Sequence, residues 1–178
     1  MNTARPSEDA SHHSPQDEDS AMSTIDIPTT APGAVPAGRR FVEGLRDGRI
    51  PAPAMIGLAP AAVVEVDEGR VVLQAAPEPR HDNGVGMAHG GWSATLLDTA
   101  MGLAAQTRLD AGRTCVTSDL TLRFHRPVRP ADGPLRIVAR VVAASPRSVA
   151  TTAVLESAQG TLHASATGAF AVIATAKD

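Results

Sequence analysis

Apolar side chains change their spacing several times along the chain, and each change marks an element. Phe41, Val42 and Leu45 fall at helical spacing between Arg39 and Arg49, and Pro51 and Pro53 end that helix. Within the stretch from Met55 to Val66, the run Ala61-Ala62-Val63-Val64-Glu65-Val66 predicts a strand. Asp67-Glu68-Gly69 predicts a turn, and Arg70 to Ala76 its hairpin partner. Pro77, Pro79, Asp82, Asn83 and several glycines then predict a long irregular loop. From Gly91 to about Arg108 the pattern is helical and apolar nearly all round, with Trp92, Leu96, Leu97, Ala100, Met101 and Leu103 among its members. At 1.5 Å per residue this helix is about 25 Å long, and a helix of that character belongs inside a protein. After Asp110-Ala111-Gly112 the chain is strand-like. Val116, Ser118, Leu120, Leu122 and Phe124 alternate with polar residues, followed by Leu135 to Ala144, Val149 to Glu156 and Thr161 to Ile173. The order of one helix, two strands, one long buried helix and four turn-linked strands implies an α+β fold. An antiparallel sheet curled around a single helix satisfies it.

Composition limits what this frame can do. The 178 residues are 43% hydrophobic, yet only three are Phe, one is Trp and none is Tyr, so the core packs small aliphatic side chains. A chain of this size needs no disulfide staple, and the lone Cys115 can build neither a disulfide framework nor a cysteine zinc site. Cysteine usage points to a reducing, cytoplasmic compartment. No apolar run is long enough to span a membrane, and the N-terminus lacks the apolar core of a secretory signal. The net charge of −3 is unevenly spread. Residues 1–38 hold six acids against Arg5 alone, with five Pro, five Ser and no Leu, Phe or Trp. That stretch is expected to be a disordered acidic tail, with His12-His13 as polar filler, and residues 39–178 to be one domain. The domain is net basic by two charges, too weak a footprint for nucleic acid but compatible with a compact polyanion.

The motifs of several chemistries are missing. There is no phosphate-cradling Gly-x-x-x-x-Gly-Lys-Ser/Thr loop and no His-Glu-x-x-His pair. Ser93 in Gly-Trp-Ser-Ala-Thr lacks the second glycine of a nucleophile elbow. What stands out is His81-Asp82-Asn83-Gly84-Val85-Gly86-Met87-Ala88-His89-Gly90-Gly91, running into the helix that carries Asp98. A glycine-rich loop entering a helix N-terminus presents free backbone N–H groups and the positive end of the helix dipole, able to hold an oxyanion or a carbonyl oxygen. The plainer reading is that these glycines only let the loop turn beside a buried helix. Asp98 weighs against it, because its neighbours are apolar and a buried unpaired carboxylate is expensive. Either Asp98 meets a partner from elsewhere in the fold, or it lines a cavity with a shifted pKa.

Asn83, His89-Gly90-Gly91 and Asp98, in that spacing, together with Thr117-Ser118-Asp119-Leu120-Thr121-Leu122-Arg123-Phe124 and Arg126-Pro127, resemble the hotdog-fold acyl-CoA thioesterases of the phenylacetate-degradation type. The resemblance covers about residues 50–174. It implies a hotdog fold, a curved antiparallel sheet wrapped around one long central helix, and hydrolysis of acyl-CoA to carboxylate and coenzyme A. Under that resemblance the Gly90 N–H polarises the thioester carbonyl, and Asp98 acts as nucleophile or as general base. Asn83 orients the acyl group or the attacking water, His89 braces the loop, and Thr117 holds the water. It also implies that loop and acid come from different subunits, making the protein a homodimer or a homotetramer. Its only cofactor-like group is coenzyme A itself, with no metal.

Strict alternation places Ser118, not Thr117, on the face of Leu120, Leu122 and Phe124, so either a bulge re-aims Thr117 or Ser118 takes its role. Among substrate-binding candidates, Gly91 follows the oxyanion glycine, and Trp92 either lines the acyl pocket or merely packs the helix. Arg126 and Arg129 are candidates for the phosphates of coenzyme A. His125 reads as an exposed strand histidine. The rival readings are a hotdog 2-enoyl-CoA hydratase, an acyl-CoA sensor without turnover, and a plain dimerisation domain.

Overall fold

The computed structural model describes residues 35–175. The expected acidic tail, with His12 and His13, lies outside the described residues except for its last four positions. Two helices and six strands make up the frame: α1 (Ala37–Arg46), β1 (Ala62–Asp67), β2 (Arg70–Ala75), α2 (Gly90–Gln106), β3 (Arg113–Phe124), β4 (Leu135–Ala144), β5 (Ser148–Ser157) and β6 (Leu162–Ala174). All strands pair antiparallel in one sheet of order β1-β2-β4-β5-β6-β3. No described helix is long and apolar enough to cross a membrane.

The sheet curves around α2, which contacts β2, β3, β4, β5 and β6. Leu96, Leu97, Ala100, Met101, Ala104 and Ala105 are all fully buried there. Burying a Leu or Met side chain contributes on the order of 2 kcal/mol, so this row holds helix and sheet together. Small residues let the sheet come close: a Cβ at Gly102 would stand 3.2 Å from the ring of Phe170 on β6. The helix is not covered all round, however. Ala94, Thr95, Asp98, Thr99, Gly102 and Leu103 form a half-buried stripe along one side. Their spacing of four residues keeps them on one face.

At the far end of α2, Thr107 is fully buried and serves two elements. Its hydroxyl donates to Ala104 O at 2.6 Å and accepts from the Gly69 N–H, in the β1–β2 turn, at 2.7 Å. The first helix begins two residues earlier than the hydrophobic spacing predicts and ends at Arg46. The reason is Gly38, whose N–H donates to Leu109 O at 2.9 Å. That bond docks α1 against the exit of α2 so closely that a Cβ at position 38 would lie 1.9 Å from Gln106 O.

The two sheet edges differ. β1 has six residues, a bulge between Val63 and Glu65, and ion pairs from Glu65 to Arg70 and Arg136 at 2.7 Å each. Short, bulged and charged edges resist pairing with other chains. β3 has twelve residues, pairs only with β6, and is largely exposed.

Gly38→Ala is expected to destabilise the fold by about 2 kcal/mol or more, because backbone, not a flexible side chain, must move to admit the methyl group. Urea denaturation measures it, and an unchanged midpoint would show that α1 does not dock as described.

Candidate active site at the amino end of the central helix

The loop entering α2 is held by its own backbone and by two distant segments. Asn83 donates its N–H to Met87 O at 2.9 Å, and its side-chain Oδ1 accepts from the Val85 N–H at 3.1 Å. Gly84 and Gly86 sit at φ +87° and +81°, where only glycine is comfortable. Ala88 donates to Val128 O at 2.9 Å, and His89 donates to His81 O at 2.7 Å. His89 is then the helix cap: its Nδ1 accepts the Gly91 N–H at 2.9 Å. A Cβ at Gly91 would strike that ring, also at 2.9 Å. With the Gly91 N–H taken, the Gly90 N–H stands first in the helix and has no acceptor among the described residues.

His81 is a residue that the sequence reading left without a role. It is buried, and its Nδ1 accepts the Glu78 N–H at 2.9 Å while its Nε2–H donates to Leu58 O at 3.0 Å. The ring stacks on Trp92, with centroids 5.4 Å apart and planes at 26°. Trp92 is buried against His81 and is not in the Gly90 cleft; it lines a second cleft, of about 370 Å³, with His89, Gly91 and Thr95.

That cleft, of about 290 Å³, is lined by Asn83, Gly90, Ser93, Phe124, Arg126 and His163, among others. Ser93 and His163 are buried within its walls. His163 has no role in the sequence reading, which weighs Ser93 only as a nucleophile, a part for which it lacks the motif. Ser93 lies three residues past Gly90 and so shares its helix face. His125, read as an exposed strand residue, is exposed but also lines the cleft, its Nε2 2.8 Å from Ser165 Oγ. Arg129 is exposed and lies outside the lining, where its backbone N–H donates to Asp132 Oδ2 at 2.6 Å.

Asp98 lies eight residues beyond Gly90, about 12 Å along the helix. It is half-buried on the open stripe of α2 and is not unpaired, since the Thr117 hydroxyl donates to its Oδ1 at 2.9 Å. The partner therefore comes from β3, and a bulge brings it. Thr117 pairs with Phe170 and Asp119 with Ala169, leaving Ser118 as the extra residue. Before the bulge Cys115 and Thr117 face α2; after it Leu120 and Leu122 do, which is why strict alternation selects the wrong residue. The Ser118 hydroxyl is used within the sheet, donating to Ala169 O at 3.0 Å. Asp98 and Thr117 do not line the Gly90 cleft, so one chain presents the acid and the N–H at separate places.

Asp98 also acts on Cys115, whose thiol is pushed up to about 11, first by burial and second by the neighbouring carboxylate. Removing that charge lowers the thiol pKa. Asp98→Asn is therefore expected to speed alkylation of Cys115 by iodoacetamide at pH 8–9, and an unchanged rate would contradict the proximity of the two groups.

The sequence model of the thioesterase superfamily matches residues 85–164. No curated protein sequence matches the chain. Among solved structures, a conserved protein of Pseudomonas aeruginosa is 30% identical, with a TM-score of 0.64 over 68% of this chain and 95% of that one. A phenylacetic acid degradation-related protein of Ralstonia eutropha is 26% identical, with a TM-score of 0.68 over 74% and 98%. A Streptococcus mutans protein bound to acetyl CoA is 23% identical, with a TM-score of 0.60 over 66% and 91%. Carrying the Asn83, His89-Gly90-Gly91 and Asp98 pattern on a six-stranded antiparallel sheet around one helix, the chain belongs to the thioesterase superfamily, as a hotdog-fold member of the phenylacetate-degradation type.

Proposed function

We propose that the protein hydrolyses acyl-CoA thioesters at sites built from two copies of the chain. The observation that carries this reading is the division of labour along α2: a free Gly90 N–H at its start, and a carboxylate held by Thr117 two turns later. The half-buried stripe of α2 and the unpaired edge of β3 are the surfaces that a second copy would cover. If two such helices cross antiparallel near Ala94, Gly90 of one copy comes level with Asp98 of the other. The acetyl CoA in the Streptococcus mutans relative supports coenzyme A as the carrier.

The thioester carbonyl oxygen then sits on the Gly90 N–H, where the helix dipole favours developing negative charge. The Thr117 hydroxyl fixes Asp98 through Oδ1 and leaves Oδ2 for the reaction. Acting as general base, Asp98 takes a proton from water as the water oxygen bonds to the carbonyl carbon. The resulting oxyanion collapses, the C–S bond breaks, and the proton passes to the coenzyme A sulfur. Direct attack by Asp98 on the same carbon reaches an equivalent oxyanion, with an anhydride that water must then open. His89 serves as brace, because its Nδ1 is occupied by the Gly91 N–H. The side-chain NH₂ of Asn83, whose Oδ1 belongs to the loop turn, is the group left to orient the acyl end or the water.

Free thiol released from a panel of acyl-CoA substrates tests the reading. Asp98→Asn is expected to lower kcat by about 10²–10⁴-fold with oligomeric state unchanged. A variant as fast as the parent would refute the role of the acid.

Gly90→Pro removes the proposed oxyanion donor, and the Cβ it adds would stand 3.3 Å from the exposed Phe124 ring, which must shift by a few tenths of an ångström to admit it. Proline suits the first helical position, and His89 already has the extended backbone, φ −62° and ψ 137°, that precedes proline. A loss of about 10²–10³-fold in kcat is expected, and retention of full activity would place the oxyanion elsewhere.

A further inference from the structure

His163, on β6, is 3% exposed, yet only one of its ring nitrogens is satisfied. Its Nδ1–H donates to Pro127 O at 3.1 Å, because a carbonyl can only accept. Its Nε2 is buried without a hydrogen-bond partner among the described residues and faces the Asp132 carboxylate at 4.0 Å. A buried nitrogen left in that state is costly, so the ring is explained by the bond it makes and not by the volume it fills.

That bond holds a segment with few means of holding itself. After Phe124 the chain stays beside His163, whose carbonyl accepts the N–H groups of His125 at 2.8 Å and Arg126 at 3.1 Å. Pro127 and Pro130 lack N–H groups, so strand pairing stops there and a side-chain donor has to take over. His163 Nδ1–H is that donor. The segment in turn supports the loop before α2. Val128 O, one residue past the anchored Pro127, accepts the Ala88 N–H at 2.9 Å, and Gly90 follows two residues later. A path of bonds within one chain thus runs from the imidazole to the N–H that meets the thioester carbonyl oxygen. Displacing such a group by about 1 Å is enough to lose on the order of 10²-fold in rate.

We propose that His163 positions the Gly90 N–H for catalysis, through its Nδ1–H bond to Pro127 and the Val128–Ala88 bond beyond it. This role rests on the thioesterase reading above.

The test follows free thiol released from one acyl-CoA substrate by the parent, His163→Leu and His163→Asn. Each substitution is also made in the Gly90→Pro background, and urea midpoints are measured alongside. Leu fills the site without a donor, and kcat per folded molecule is expected to fall about tenfold or more while KM stays within about twofold. Asn carries an N–H at the same remove from Cβ as Nδ1, and should bring kcat to within about threefold of the parent. In the Gly90→Pro background, His163→Leu should lose nothing further, because the donor it positions is gone. His163→Phe replaces the Leu variant if that chain does not fold. Parental kcat in a variant without the donor overturns the inference and leaves the hydrolase reading intact. So does an Asn variant no faster than the Leu one, or an equal further loss in the Gly90→Pro background. If no thioester is turned over, or Gly90→Pro is fully active, the reading beneath fails and this inference fails with it.

Discussion

Enclosure of α2 is the constraint on which the rest of the molecule depends. A seventeen-residue helix with Leu96, Leu97, Ala100, Met101 and Ala104 fully buried has no stable place in water, so the sheet must curve round it. The curvature demands small side chains at the contact, and Gly102 against Phe170 is where that demand is most visible. Enclosure also creates the chemistry. A buried helix must begin somewhere, and its first N–H groups need partners. His89 takes the one from Gly91, while the one from Gly90 is left facing a cleft.

The enclosure stops short on one side. A half-buried stripe on the helix and a twelve-residue open edge on β3 remain, and Asp98 with Thr117 stands where the two meet. The opposite edge of the sheet is defended, since β1 is short, bulged and charged. A long open strand beside a semi-polar helix stripe has the character of an interface, and the proposed reaction needs one, since the Gly90 cleft does not include Asp98 among its lining residues.

Much of this was legible from the residues. The 3.6-residue period of α2 and the period of two in β3 to β6 are long and strong, and all five core elements they announce are present within a few residues of their expected ends. The loop motif located the helix start, because glycines and a capping histidine leave few other ways to enter a helix. Other features were hidden for physical reasons. A bulge has no signature in an alternating pattern, so whether Thr117 or Ser118 meets Asp98 depends on pairing with β6, a strand fifty residues away. The start of α1 depends on the close approach of Gly38 to Gln106, a tertiary contact. His81 and His163 earn their places through backbone carbonyls of Leu58 and Pro127, which no side-chain pattern reveals. The apolar surroundings of Asp98 along the helix suggested a buried, lone carboxylate, whereas the stripe it occupies is half open and Thr117 supplies a partner.

The central claim is that each site joins the Gly90 of one copy to the Asp98 of another, and subunit complementation tests it most directly. Gly90→Pro and Asp98→Asn chains, each inactive alone, are unfolded together and refolded as a mixture. In a mixed two-fold dimer one site would have both defects and the other neither, so random pairing should restore about a quarter of parental activity. A mixture as inactive as its two components would contradict the shared site.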